Sequence, residues 1–167
     1  LDIKNNNNIK TIVRTAVATV TNQVRMETYK ENSDVFKGYE HNSTVDARVS
    51  LICATRDGAT YDLDFKGLNA KGKAYPFKQT PLHFNCRSII LPITKTFREL
   101  GLDIDEIPSG TRSSIDGRVS NNTTFEQWFE GKSATFQESY LGKGRYQLFK
   151  DGKITFSDLV NQNGKTL

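Results

Sequence analysis

At 167 residues the chain can build one ordinary domain with a small extension. Its 25% charged and 36% hydrophobic residues describe a polar globular chain, and a net charge of +4 permits contact with nucleic acid without the concentrated basicity of a dedicated DNA-binding domain. No apolar run is long enough to span a membrane, no secretory leader is recognisable, and two cysteines fit a reducing compartment better than a disulfide scaffold.

The chain opens on Leu1 rather than Met, which reads as a processed chain or a fragment. Residues 1–8 end in the run Asn5 to Asn8 and read as a linker or the frayed end of a preceding segment. From Ile9 to Lys30, apolar residues mainly at spacings of three and four (Ile9, Ile12, Val13, Ala16, Val20, Val24 and Met26) predict a helix, with Arg14, Asn22 and Arg25 among its polar positions. So much β-branched content requires burial of that face to hold the helix. Tyr39 to Val49 reads as a strand. Ser50 is placed to cap a short helix through Leu51–Ala54 that Gly58 closes, with a hairpin at Asp57-Gly58 as the competing arrangement.

Ala59 to Phe65 alternates as a second strand. Residues 66–82 form a loop broken by Gly67, Gly72, Pro76 and Pro81, and Lys66, Lys71, Lys73 and Lys78 make it the most basic stretch. Cys86 to Ile93 is apolar enough for a central third strand. Thr94 to Leu100 predicts a turn or two of helix ended by Gly101, and residues 103–122 an exposed connector. Thr123 opens a capping-box pattern, T-T-F-E, into a short helix. Two more helices are expected at Ala134–Leu141 and Lys143–Lys150, then a second capping pattern at Thr155–Asp158 with Phe156, Leu159 and Val160 as an apolar patch.

The chemistry-bearing residues gather in two blocks, D-A-R-V-S-L-I-C-A-T-R-D-G at 46–58 and T-P-L-H-F-N-C-R-S-I-I-L-P at 80–92. Cys53, His83 and Cys86 are the candidate metal ligands. A closed zinc site needs four, and the fourth would have to be Asp46, Asp57, His41 or water. The alternative is a buried cysteine pair with His83 bonded in a turn. The residues alone therefore give no bound metal and no cofactor. A Cys–His nucleophile would need a base and an oxyanion site, and no nucleophile motif, phosphate loop or H-E-x-x-H is present. Arg48 or Arg87 paired with Asp46 or Asp57 would instead lock two strands, a scaffold and not an active site. Tyr29, Phe36, Tyr39, Tyr61 and Tyr75, interleaved with Lys and Arg, fit either a base-stacking surface or core and rim.

The order and internal spacing of the two blocks resemble the phage head-morphogenesis family, the Mu F-like minor head proteins. The pattern falls on Asp46, Arg48, Cys53, Gly58, Tyr61, Pro81, His83, Asn85, Cys86 and Arg87. F-E-Q-W-F and L-G-K-G-R-Y-Q-L-F-K-D-G-K near the C-terminus look like the extension that follows the domain in this family. Many members carry further cysteines where this chain has Ser50 and Ser88.

The resemblance implies a bacteriophage virion protein: a minor capsid, head-morphogenesis component associated with the portal and procapsid, with genome ejection as a further role. Its partners would be the portal and other head proteins, with non-specific contact to packaged DNA, and no membrane. Its place would be the capsid interior or portal region, and the host cytoplasm during assembly. A phage-delivered nuclease or toxin-like effector, or a non-specific DNA-binding module in packaging, are the alternatives. The expected fold is α+β: an N-terminal helix packed on a small, mainly antiparallel sheet, with a C-terminal helical extension. Residues 9–95 would form the domain, 96–122 a connector and 123–167 the extension. Asp46, Arg48, Cys53, Gly58, His83, Asn85, Cys86 and Arg87 are expected to fix the fold, with no catalytic residue. Lys66, Lys71, Lys73 and Lys78 are the candidate DNA or partner contacts.

Overall fold

The computed structural model describes residues 3–67, 75–161 and 163–166. It is an α+β arrangement. Helix α1 (Ile3–Glu31) leads into a three-stranded antiparallel sheet of β1 (Phe36–Asn42), β2 (Thr60–Tyr61) and β3 (Ile89–Thr94), in the order β2-β1-β3. A one-turn helix α2 (Leu51–Ala54) lies in the connection between β1 and β2. A separate hairpin, β4 (Thr111–Ser114) and β5 (Gly117–Ser120), precedes α3 (Phe125–Glu130), α4 (Ala134–Leu141), α5 (Lys143–Lys150) and a 3-10 turn at Phe156–Leu159.

Several expectations change. The asparagine run is helical, because asparagine costs a helix only some tenths of a kcal/mol per residue and the segment that follows carries it. The strand expected at Tyr39–Val49 is Phe36–Asn42, and the second is only Thr60–Tyr61. The third strand begins at Ile89, not Cys86, and lies at an edge, while β1 is central. Pro92 agrees with the edge position, since it has no N–H to give a further neighbour. Residues 97–101 form turns and not a helix. The first C-terminal capping box sits one residue later than expected, on Thr124 and Gln127. The helices at Ala134–Leu141 and Lys143–Lys150 and the capping box at Thr155–Asp158 fall where the sequence placed them.

The largest departure is the face that α1 presents. Its inward side carries Thr11, Thr15, Ala18, Asn22, Met26 and Tyr29. Met26 and Tyr29 pack on Tyr39 and Ile90 of the sheet, with Phe65 and Phe77 beside them. The β-branched residues point outward: Val13 is 53% exposed, Val17 59%, Val20 62% and Val24 59%, and Ile9 and Ile12 join them. The helix turns its polar and small side to the sheet because that side also meets the Asn85 turn, where hydroxyls are needed. Asn85 N donates to Thr15 Oγ1 at 3.1 Å and Asn85 Nδ2 to Thr11 Oγ1 at 3.1 Å.

The main core lies between the first block and the C-terminal helices. Val45, Val49, Cys53, Ala54 and Cys86 pack with Phe125, Trp128, Phe129, Leu141, Phe156, Leu159 and Val160. Phe125, Phe129 and Phe156 are mutually in ring contact at 5.3–6.1 Å. Two hydroxyls pin the outer elements to this core: Tyr140 donates to the Val49 carbonyl at 3.0 Å, and Tyr75 to the Ser157 carbonyl at 2.7 Å. Tyr39, Tyr61 and Tyr75 are buried, which makes these aromatics core and leaves no stacking platform there.

Candidate functional site

The two blocks meet at one place. The first leaves β1, turns through residues 43–50 and enters α2. The second descends from the cis Thr80–Pro81 peptide, turns through His83–Cys86 and enters β3. Asn85 has φ +57, a left-handed conformation that asparagine tolerates better than most residues, and this closes the turn and aims Cys86 inward. Gly58 has φ +77, and a Cβ there would meet Thr124 Cγ2 at 2.8 Å. Both the turn and the approach of α3 therefore require glycine.

Arg87 and Asp46 form a two-pronged pair across the blocks, with Nη1 to Oδ2 at 2.6 Å and Nη2 to Oδ1 at 2.8 Å. Asp46 Oδ1 also accepts the Arg48 backbone N–H at 2.8 Å. The Arg87 guanidinium holds the Asp46 carboxyl below the usual carboxylate range. This is one of the pairings the scaffold reading allowed. Arg48 contributes its amide, and its side chain is exposed.

The second pairing takes Asp57 to Arg112, a residue the sequence reading left in an exposed connector. Asp57 is fully buried and accepts four groups: Ser43 N at 2.6 Å, Phe125 N at 2.7 Å, and Arg112 Nη1 and Nη2 at 2.9 and 3.1 Å. Burial raises its pKa, and Arg112 and the two amides pull it back. One carboxylate thus joins the end of β1, the close of α2, the β4–β5 hairpin and the start of α3. The signal available in the sequence was S-I-D-G-R, whose Asp-Gly pair marks a turn between short polar strands; the hairpin turns at Ile115-Asp116, and Gly117 opens β5. Arg56 was also missed. Its guanidinium is buried over the Tyr75 ring, 4.4 Å from the centroid.

Cys53, His83 and Cys86 converge. Cys53 Sγ is 3.6 Å from Cys86 Sγ and 3.2 Å from His83 Nε2, and Ser50 Oγ is 2.7 Å from the same nitrogen. Ser50 stands at the N-cap position of α2, but its side chain turns to His83 and makes no cap bond. His83 Nδ1 lies 2.8 Å from the Phe84 carbonyl, which can only accept, so Nδ1 carries the proton and Nε2 keeps its lone pair for the cluster. Both cysteines are free and buried. The Cys53 thiol hydrogen bond, with the Leu82 and Ser88 amides and His83 nearby, pulls Cys86 down to about 5, while the same bond and burial push Cys53 up. Of the expected fourth ligands, Asp46 and Asp57 are engaged by guanidinium groups, and His41 does not join the cluster. Ser88 Oγ bonds Ser43 Oγ at 3.3 Å beneath it.

The basic loop is only partly described. Lys66 lies 3.7 Å from Asp64, both strongly exposed, and Lys78 reaches the Asn163 carbonyl at 3.4 Å. Lys71 and Lys73 lie outside the described residues.

Comparison with known proteins gives one result that bears on identity. A family model described as "Phage Mu protein F like protein" matches residues 2–91, more than half of the chain and both blocks nearly complete. No curated protein and no solved structure matches.

Proposed function

The chain belongs to the Phage Mu protein F-like family, which points to a phage head protein, and from that premise we propose that it is a minor, structural head component docked through the outer face of α1. The observation that carries this reading is the inverted helix. Val13, Val17, Val20 and Val24 recur at alternating spacings of four and three, the period of a helix–helix seam, and all are more than half exposed. A row of exposed apolar side chains along one helix face is the kind of surface that a protein partner covers. An open groove of about 500 Å³ continues the seam past Val24 to Thr28 and Glu31. We assign the occupant as a helix of another head protein, the portal being the candidate.

The paired blocks serve that surface. Asn85 holds Thr11 and Thr15, the Arg87–Asp46 fork joins the blocks, and Asp57 gathers the C-terminal elements behind them. The role is one of support, with no catalytic step assigned. No helix among the described residues is long and apolar enough to cross a membrane. Contact with packaged DNA through the basic loop of Lys66, Lys71, Lys73 and Lys78, and ejection with the genome, belong to this proposal as secondary roles.

The test is the double substitution Val17→Glu/Val20→Glu in the phage. Both side chains are outside the core, so thermal stability is expected to change little. Incorporation into purified heads is expected to be lost. A folded variant incorporated as well as the wild type would refute docking through α1.

A further inference from the structure

The cluster at the junction of the two blocks has the chemistry and spacing of a metal site. We infer that Cys53 Sγ, Cys86 Sγ and His83 Nε2 bind one borderline-soft divalent cation of the zinc class, with the Ser50 hydroxyl, or a water beside it, in the fourth position.

Three independent features support this. The first is distance. An ion with metal–sulfur bonds of about 2.3 Å and metal–nitrogen bonds of about 2.0–2.1 Å sets its tetrahedral ligand atoms roughly 3.5–3.8 Å apart. Here the two sulfurs, 3.6 Å apart, fall in that range, Cys53 Sγ and His83 Nε2 are in hydrogen-bond contact at 3.2 Å and would open by a few tenths of an ångström around an ion, and all three ligand atoms lie within 4.8 Å of one another. The second is orientation. His83 gives its Nδ1 proton to a backbone carbonyl 2.8 Å away, the outer contact that fixes a ligating imidazole with Nε2 facing the metal. The third is the serine. Ser50 forgoes the cap of α2 and directs Oγ to within 2.7 Å of Nε2, on the same side as the sulfur one turn later.

Counting ligands along the sequence left the site one short, because serine is not counted among ordinary zinc ligands. Its placement supplies the missing corner, either directly or through a bound water. The ion would tie α2 to the His83–Cys86 turn beside the main core. This inference stands apart from the docking of α1, since none of Ser50, Cys53, His83 and Cys86 belongs to α1 and the test below uses the isolated protein.

The experiment is titration of the reduced full chain with CoCl2, followed by displacement with ZnCl2. The expected result is one equivalent of cobalt, with a sulfur-to-cobalt charge-transfer band and visible bands of a four-coordinate ion, lost as zinc is added. Cys86→Ser should abolish the charge-transfer intensity from one sulfur. Because that variant alters a buried position, two others keep the test open. His83→Gln, at a partly exposed ligand, should weaken cobalt binding at least about tenfold. Ser50→Cys should tighten it by a similar factor and add a third sulfur band. Absence of four-coordinate bands in the reduced wild type, or equal binding by wild type, His83→Gln and Ser50→Cys, would overturn the assignment.

Discussion

Replacing Arg112 with alanine removes five hydrogen-bond contacts at once: two to Asp57, and one each to Thr123 O, Asn42 Oδ1 and Ser43 O. The Asp57 carboxylate then keeps only the amides of Ser43 and Phe125. Its side chain is 0% exposed and that of Arg112 is 9%, so water cannot take the place of the guanidinium. Burial already raises the Asp57 pKa, and without the guanidinium it rises further. Removing one partner of a buried pair costs about 3–5 kcal/mol, against a total stability of about 5–15 kcal/mol for a domain of this kind. Arg112→Lys restores a charge without the fork and should fall between. The assay is urea unfolding followed by the fluorescence of Trp128, the only tryptophan, whose indole N–H bonds Asp116 on the same hairpin at 2.8 Å. The double variant Asp57→Asn/Arg112→Met should lose clearly less than the sum of its single changes, because it strands no charge. A cost below about 1 kcal/mol for Arg112→Ala, or strict additivity in the cycle, would refute the role given to Asp57.

Arg87→Ala should lower stability by about 1 kcal/mol, less than Arg112→Ala, since Arg87 is 40% exposed and solvent screens the pair; differential scanning calorimetry decides the ranking. His41 is buried beside Arg56, and burial first, then the guanidinium, lowers its pKa from 6.5 to about 3. The unfolded chain takes up that proton as pH falls below about 6.5 and the folded chain does not. Stability should therefore fall from pH 6.5 toward 3, by at most about 1.4 kcal/mol per pH unit. Urea midpoints at pH 6.5 and 5 give a slope to which the lowered Cys86 thiol also contributes, so the His41 part is the difference between the wild type and His41→Leu, whose slope should be shallower; identical slopes would mean that His41 does not titrate on unfolding.

What the sequence disclosed, and what it withheld, follows the reach of the interactions. The bounds of α4 and α5 were legible because Ser133 caps one and Gly142, at φ +80, separates the two, and both signals are local. The meeting of the two blocks was legible through their composition, since Asp, Arg, Cys and His concentrate there. The pairing of Asp57 with Arg112 was not, because the partner lies in a polar stretch whose strands are only four residues each. The periodicity of α1 was read correctly as helical and wrongly as inward-facing. An amphipathic pattern marks the side of a helix that needs a partner, and it does not say whether that partner belongs to the same chain. Ser50 reads as the cap of α2, and the resemblance marks it only as a place where relatives carry cysteine; that its hydroxyl turns to His83 is a tertiary contact that no local pattern discloses.

The central claim is that this chain is a structural part of the phage head. Quantitative peptide mass spectrometry of gradient-purified heads and of the host lysate supernatant tests it most directly. The account predicts that peptides of this chain sediment with the head at a fixed, low ratio to the major capsid protein. Recovery only in the supernatant, with none in the particle, would contradict it.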